Sequence, residues 1–422
     1  MMSNRSGDDF DRLMTSWMEA EGRVREPAEL LDRVLVRTRA ARRRPRWLVP
    51  EWWISMQNTA RLQAIWRPAP LLFLLAALIV ALALVAVLVG GSQRKVPAPF
   101  GPAANGTLIW DANATIYTSN ADGTGIRTVI TDVPHAAAPA VSSDGLRIAF
   151  WGDHFPDSLF VANVDGSGVR KLAGDLWIGT DKGPAWSPDG RRLAIQTESG
   201  PNLRDEHLVV FDVVTGAATT IPPEAVGGSR AFRPTWSPDG EWIGAEAFNF
   251  QDKPVGYWIF HPDGSGARQL PTSRPSRDAI GLQWAPSAGP LRVAYTAAPA
   301  GDDASLAMVL DVATGTERRV STADTEAAYW PAWSPDATQL AWSGGWTGNR
   351  IVVADLADPS RTTTLSAGTL NSPIAWSPDG RFLYGLDGTV TSLIVIPLDG
   401  SKPVAIPHAA SQGMPDWQRI AP

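Results

Sequence analysis

A tryptophan followed by a proline-rich turn recurs along this chain and constrains its fold more than any other feature. The phrase Trp-Ser-Pro-Asp-Gly occurs three times, and close variants of it occur elsewhere. The first positions of these phrases, here called anchors, are Val141, Trp186, Trp236, Trp284, Trp333, Trp376 and a final Trp417. Successive anchors lie 41 to 50 residues apart. A period in the forties is typical of the four-stranded blades of a β-propeller.

Each repeat contains the same sequence of strand and turn signals. The anchor ends a short first strand, and Pro-Asp-Gly predicts a turn, because proline presets φ and glycine accepts a left-handed backbone. An apolar second strand follows, for example at residues 146–150, and a turn such as Asp-Gly-Ser-Gly at 165–168 then joins a third strand to a fourth. There are seven second strands and seven such hairpins, but only six first strands precede an orphan strand at 416–418.

These numbers predict an all-β protein with seven four-stranded blades. The first repeat lacks its own first strand, and the C-terminal segment around Trp417 is expected to supply it. Such a closure joins the two ends of the propeller and removes the exposed sheet edges of an open ring. Six blades are the alternative if the degenerate repeat at Trp284 does not form a complete sheet.

The segment at residues 70–90 has the composition of a transmembrane helix. Residues 71–89 form an unbroken apolar run of 19 residues, which is long enough to cross a bilayer core of about 30 Å. Arginines are abundant before this run and scarce after it, which places residues 1–69 in the cytoplasm and the propeller outside. A buried core helix and a signal peptide are the alternatives, and an uncleaved single-pass anchor in the cytoplasmic membrane is favoured.

The cytoplasmic segment, residues 1–69, is expected to contain two short amphipathic helices. Phe10, Leu13, Met14 and Trp17 fall on one helical face, and such a face must pack against its neighbour helix, the membrane or a cytoplasmic partner. This arrangement resembles single-pass bacterial anti-sigma factors, which implies a signalling or sensor role. Residues 91–106 are then a linker, and residues 107–422 form the propeller.

Composition and motifs argue against most kinds of chemistry. The net charge of −6 implies no attraction to nucleic acid, and the absence of cysteine excludes disulfides and thiolate metal sites. The repeated aspartates of the Pro-Asp-Gly turns are expected to bind backbone N–H groups. There is no Gly-x-Ser-x-Gly motif, and the five histidines lack metal-binding spacing. The sequence therefore predicts a protein that is not an enzyme and has no metal, cofactor or catalytic residue.

The repeated phrase Pro-x-Trp-Ser-Pro-Asp-Gly, followed by Asp-Gly-Ser-Gly, resembles the repeat of TolB-like propellers over roughly residues 107–420. That family includes proteins of the bacterial cell envelope and the propellers of prolyl oligopeptidase relatives. The resemblance implies the propeller fold. This chain differs from the secreted member of the family, which has an α/β domain where this chain has its apolar segment.

One face of the propeller is expected to carry the function. The loops after second and fourth strands share a face and vary between repeats, and binding sites favour variable loops on a rigid scaffold. These loops are rich in acidic and aromatic residues, a combination that suits a cationic ligand, a basic peptide or a glycan. Aromatic side chains that only pack within the loops are the alternative. The candidate ligand-binding residues are Trp151, Asp153, His154, Asp302, Asp303, Trp330 and Trp346.

The leading functional hypothesis is a membrane-anchored extracytoplasmic module that binds a protein, peptide or glycan and in which the cytoplasmic helices recruit a partner or report binding. A propeller lyase or hydrolase of the cell envelope is one alternative. A scaffold protein without a small ligand is the other.

Overall fold

The computed structural model describes the chain from residue 97 to residue 421 with gaps. The described ranges are 97–153, 157–177, 183–198, 206–227, 230–249, 254–275, 282–298, 305–321, 327–344, 350–366, 370, 373–387, 392–407 and 415–421. All of them fall within one compact unit, Gly90–Pro422. The predicted cytoplasmic segment and the predicted span at 70–90 lie outside these ranges. Within them, no helix has the length and apolar character needed to cross a bilayer.

The described strands form seven four-stranded antiparallel sheets, which confirms the seven-bladed propeller. Blades 1 and 2 contain β28 (Asp416–Ile420), β1 (Ala104–Ala112), β2 (Thr115–Ser119) and β3 (Arg127–Ile130), then β4 (Ala137–Val141), β5 (Arg147–Gly152), β6 (Asp157–Asn163) and β7 (Arg170–Leu176). Blades 3 and 4 contain β8 (Ala185–Trp186), β9 (Arg192–Glu198), β10 (Glu206–Asp212) and β11 (Ala218–Ile221), then β12 (Arg230–Trp236), β13 (Ile243–Phe248), β14 (Pro254–Phe260) and β15 (Arg268–Gln269).

The repeat at Trp284, the most degenerate in sequence, also forms a complete blade. Blades 5 and 6 contain β16 (Gln283–Trp284), β17 (Arg292–Ala297), β18 (Leu306–Asp311) and β19 (Glu317–Arg319), then β20 (Ala328–Trp333), β21 (Gln339–Gly344), β22 (Arg350–Asp355) and β23 (Thr362–Ser366). Blade 7 contains β24 (Ala375–Trp376), β25 (Phe382–Leu386), β26 (Ser392–Pro397) and β27 (Val404–Pro407). A short 3₁₀ helix, Pro223–Val226, lies between blades 3 and 4.

The C-terminal strand closes the ring as expected. β28 pairs antiparallel with β1, with Trp417 opposite Leu108 and Asp416 opposite Ile109. The closing strand also contacts blade 2, where the Gln418 side chain donates a hydrogen bond to the carbonyl of Gly145 at 2.8 Å. Gly145 has a φ of +69°, and a Cβ added there would lie 1.9 Å from the carbonyl oxygen of Arg419. Only glycine therefore permits this approach of the closing strand.

The hydrophobic core consists of seven clusters, and each cluster lies between two neighbouring blades. Because each sheet is covered on both faces, its central strands are buried almost continuously, as in β6, where five of seven residues are buried. The cluster between blades 7 and 1 contains Trp417 together with Leu108, Tyr384 and Leu393. Closure by β28 thus completes a core as well as a sheet.

In five of the described blades, the turn after the first strand is held by its serine and aspartate. In blade 4 the Ser237 hydroxyl donates to Asp239 Oδ1 at 2.5 Å and accepts the N–H of Trp242 at 2.9 Å, and Asp239 Oδ1 accepts the N–H of Glu241 at 3.0 Å. The same three bonds occur in the turns that contain Asp144, Asp189, Asp336 and Asp379. The repeated aspartates therefore have the structural role that the sequence predicted.

Removing one of these buried serines should destabilise the fold. Ser237 is fully buried, and Ser237→Ala leaves the Trp242 N–H without its acceptor, at an expected cost of about 1–3 kcal/mol. Ser401, which donates to Asp399 in an exposed turn, provides the control, since water replaces its bond. Urea denaturation of both variants measures the difference. Equal losses for Ser237→Ala and Ser401→Ala would contradict this role for the turn.

Candidate functional site

The first strands of the blades surround a central channel that contains a cavity of about 530 Å³. Its lining combines apolar and polar surface and comes largely from the Pro-x-Trp phrases of the repeats. The described lining residues include Trp284, Trp330, Trp333, Trp376 and Trp417 and the prolines Pro139, Pro184, Pro331, Pro373 and Pro415. A cavity of this size and character is within the range of sites that bind small ligands or inserted side chains.

The anchor tryptophans connect the blades through their indole N–H groups. Each donates to the carbonyl of the residue just before the anchor of the preceding blade: Trp186 to Ala140, Trp236 to Ala185, Trp284 to Thr235, Trp333 to Gln283 and Trp376 to Ala332, at 2.9–3.2 Å. Trp417 instead donates to the carbonyl of Gly106 in its own blade. The regular chain of bonds therefore changes at the ring closure.

The residue just before each anchor forms a ring of equivalent positions, here called the channel ring. Its members are Ala140, Ala185, Thr235, Gln283, Ala332, Ala375 and Asp416. Five of them line the cavity: Ala140, Gln283, Ala332, Ala375 and Asp416. Within this ring, Asp416 of the closing strand is the single charged residue.

Asp416 is half-buried, and both oxygens of its carboxylate accept backbone N–H groups. Its Oδ2 accepts the N–H of Val141 in β4 at 2.7 Å, and its Oδ1 accepts the N–H of Trp417 at 2.7 Å. Burial raises the pKa of the Asp416 carboxyl to about 6, although these two hydrogen bonds and the charge of Arg419 act in the opposite direction. The carboxylate therefore carries a charge whose desolvation its partners do not fully offset.

The first strands of alternate blades have an unusual backbone three residues before the anchor. Ala138, Arg233 and Trp330 have φ of +48°, +55° and +55°, and each immediately precedes a proline. Left-handed φ costs a non-glycine residue roughly 1–3 kcal/mol, and a bulge interrupts the strand register at each of these positions. Bulges re-aim side chains near binding sites. In blade 6 the residue at this position is Trp330, which lines the cavity and is 5% exposed.

Blade 4 contains a buried ion pair at the same level. Arg233 Nη1 lies 3.3 Å from Glu246 Oε2, and the Glu246 side chain is fully buried. Burial raises the pKa of the Tyr257 hydroxyl well above its ordinary value, and the charge of Glu246 adds to this increase. Glu246 belongs to an acidic loop in the sequence, but its charge is matched inside the blade and does not contribute to an open acidic rim.

The structure places the candidate residues from the sequence in different surroundings. Trp330 lines the cavity, whereas Trp151 is 7% exposed and packs in the core between blades 2 and 3. Asp153 forms an ion pair with Lys171 at 3.0 Å. A hydrogen bond from Ser158 lowers the pKa of the Asp153 carboxyl, and the interaction with Lys171 lowers it further. The other candidates, His154, Asp302, Asp303 and Trp346, lie outside the described residues.

Sequence reasoning did not select Asp416 or Gln283 as candidate ligand-binding residues. Both occupy the variable position of the Pro-x-Trp phrase, and aligning the repeats at their anchors would have shown that this position faces one common space. No group of three histidine, aspartate or glutamate side chains suited to a metal ion occurs in the described part of the chain.

No protein-family model and no curated protein matches this chain. Solved structures, in contrast, do match this chain. TolB from Acinetobacter baumannii is 16% identical, with 81% of this chain and 71% of TolB covered and a TM-score of 0.44. An oligogalacturonate lyase in complex with manganese is 13% identical, with 73% and 83% covered and a TM-score of 0.52. At such low identity, the likeness to the lyase supports the propeller fold alone.

Proposed function

We propose that this chain is a binding module, and that part of a protein or peptide partner enters the central channel from the face that carries the variable loops. The observation that supports this most directly is the cavity of about 530 Å³ with an aromatic and proline lining. Aromatic side chains held rigidly in a pocket are typical binding hot spots. The repeated acidic residues, which would be the first candidates for catalysis, form hydrogen bonds within the turns instead.

The cellular location of this binding module is proposed from its sequence. The apolar run at 71–89 anchors the protein in the cytoplasmic membrane with the propeller outside. The helical segment at 1–69 reports binding or recruits a cytoplasmic partner. This arrangement makes the protein a sensor or an adaptor of the cell envelope.

Trp330 is the residue with which to test the channel. Peptides selected from a displayed library of random linear peptides against the full chain should bind Trp330→Ala more weakly by about thirtyfold, as expected for loss of a hot-spot tryptophan. Trp242 is a matched control, because it stacks on His261 at 4.1 Å and does not line the cavity. Binding should therefore survive Trp242→Ala. Peptides that bind wild type and Trp330→Ala equally would place the site elsewhere.

A further inference from the structure

We infer that the channel binds a positively charged group of its ligand, an ammonium or a guanidinium, and that Asp416 pairs with this group. The inference rests on the proposed function, because it concerns the same cavity. It adds the charge of the ligand and the residue of this chain that recognises it.

The channel ring carries a single charge. Four of its seven positions are alanine, and threonine and glutamine occupy two more, so the ring is small and neutral except at Asp416. A charge that is partly shielded from water interacts more strongly with a bound group than a fully exposed charge does. A ligand that fills this cavity therefore meets one negative charge at a fixed place.

The residues around Asp416 compensate its charge only in part. Arg419 is the one cationic residue among the described lining residues, but its Nη2 donates to the carbonyls of Ala98 at 3.1 Å and Gly101 at 2.6 Å. On β25, the Tyr384 hydroxyl interacts electrostatically with Asp416. Burial raises the pKa of this hydroxyl, and the charge of Asp416 raises it further. β4 supplies the Val141 N–H, and the residue opposite on β1 is Ile109. A bound cation would provide the missing counter-charge.

Three of the anchor indoles form cation–π contacts with arginine side chains in this protein. The guanidinium carbons of Arg147, Arg192 and Arg292 lie 5.1, 4.8 and 5.1 Å from the ring centroids of Trp186, Trp236 and Trp333. Indole rings attract a cation placed over their face, and more strongly where water is excluded. Trp284, Trp376 and Trp417 are lining residues of the cavity, as is Asp416, and these tryptophans also pack in the cores between blades. The lining thus combines a carboxylate with the ring type that best binds ammonium and guanidinium groups.

The experiment compares each library-selected peptide that contains lysine or arginine with its counterpart in which that residue is glutamine. Isothermal titration of the full chain should show the basic peptide binding at least about tenfold more tightly, the strength of one charged hydrogen bond. Asp416→Asn should remove this preference. Asp399→Asn, the same change in an exposed turn between β26 and β27, should keep it. n-Butylammonium, tested alone, distinguishes a free amine from a peptide side chain as the source of the charge, and binding of either supports the inference.

A second measurement needs no variant and guards against misfolding of Asp416→Asn. Because Asp416 loses its charge near pH 6, the affinity of wild type for the basic peptide should fall as the pH is lowered from neutral to about 5, while that of the glutamine peptide stays constant. Peptides that bind through Trp330 with no preference for a basic residue would overturn this inference and leave the proposed function intact. Failure of every peptide to bind would overturn both.

Discussion

Replacing Trp417 with alanine is expected to lower the free energy of unfolding by about 3–5 kcal/mol, the usual cost of removing a buried indole. Trp417 is 2% exposed, packs edge-on against Tyr384 with ring centroids 5.6 Å apart, and lies parallel to Phe382 at 6.1 Å. It also belongs to the strand that completes blade 1 and the core between blades 7 and 1. Urea denaturation of the full chain measures the loss.

The control for this prediction is Trp417→Phe. It retains most of the packing and removes only the hydrogen bond from the indole N–H to Gly106 at 3.1 Å, at an expected cost of about 1 kcal/mol. A loss of less than about 1 kcal/mol for Trp417→Ala would show that the closing strand contributes little to the stability of the ring.

The role of Trp417 illustrates how far the sequence could predict this fold. The anchors reveal the repeat, and the missing first strand of the first repeat predicts that the C-terminal strand fills the gap, which the pairing of Trp417 with Leu108 confirms. Such an inference is possible because every blade packs four strands in the same way, so a strand that is missing from one repeat becomes evident when the repeats are compared. Even the degenerate repeat at Trp284 retains enough apolar strand positions to form its sheet.

The channel was harder to predict, because its lining depends on three-dimensional convergence. Trp330 was selected for being aromatic in a variable loop, but the left-handed backbone that places it in the channel lining precedes a proline, where an extended conformation is normally favoured. The burial of Glu246 beside Arg233 depends on the neighbouring strand and is not evident from the sequence. Asp416 resembles an ordinary residue of a terminal segment until the ring closes around it.

The stability of the protein should depend on pH through Asp416 in a narrow window. Its pKa is about 6 in the folded state against an ordinary value of 3.8, so between these values the folded state binds more protons than the unfolded state. Stability then falls as the pH rises through this window. The cost of the buried charge is fully present above about pH 7 and absent below about pH 4, and its size is about 3 kcal/mol.

The turn aspartates act in a different window and with the opposite sign. Hydrogen bonds from Thr124 lower the pKa of the Asp122 carboxyl, and those from Thr215 lower that of Asp212. The stability that these groups contribute is therefore present above their unfolded pKa of 3.8 and is lost as the pH falls through their folded values. Between about pH 5 and pH 7 they are largely ionised in both states, so that the slope in this range reports mainly on Asp416.

Urea denaturation at several pH values between about 5 and 7, performed on wild type, Asp416→Asn and the control Asp399→Asn, tests this expectation. Wild type and the control should lose about 1 kcal/mol of unfolding free energy across this range, and Asp416→Asn should lose much less, because it has no charge to bury. An unchanged slope in Asp416→Asn would contradict the assignment. A bound cation that pairs with Asp416 would lower its folded pKa and restore stability at neutral pH, where the cost is greatest. The Asp416 carboxylate would then lower the stability of the propeller without ligand and also favour the binding of a cationic ligand.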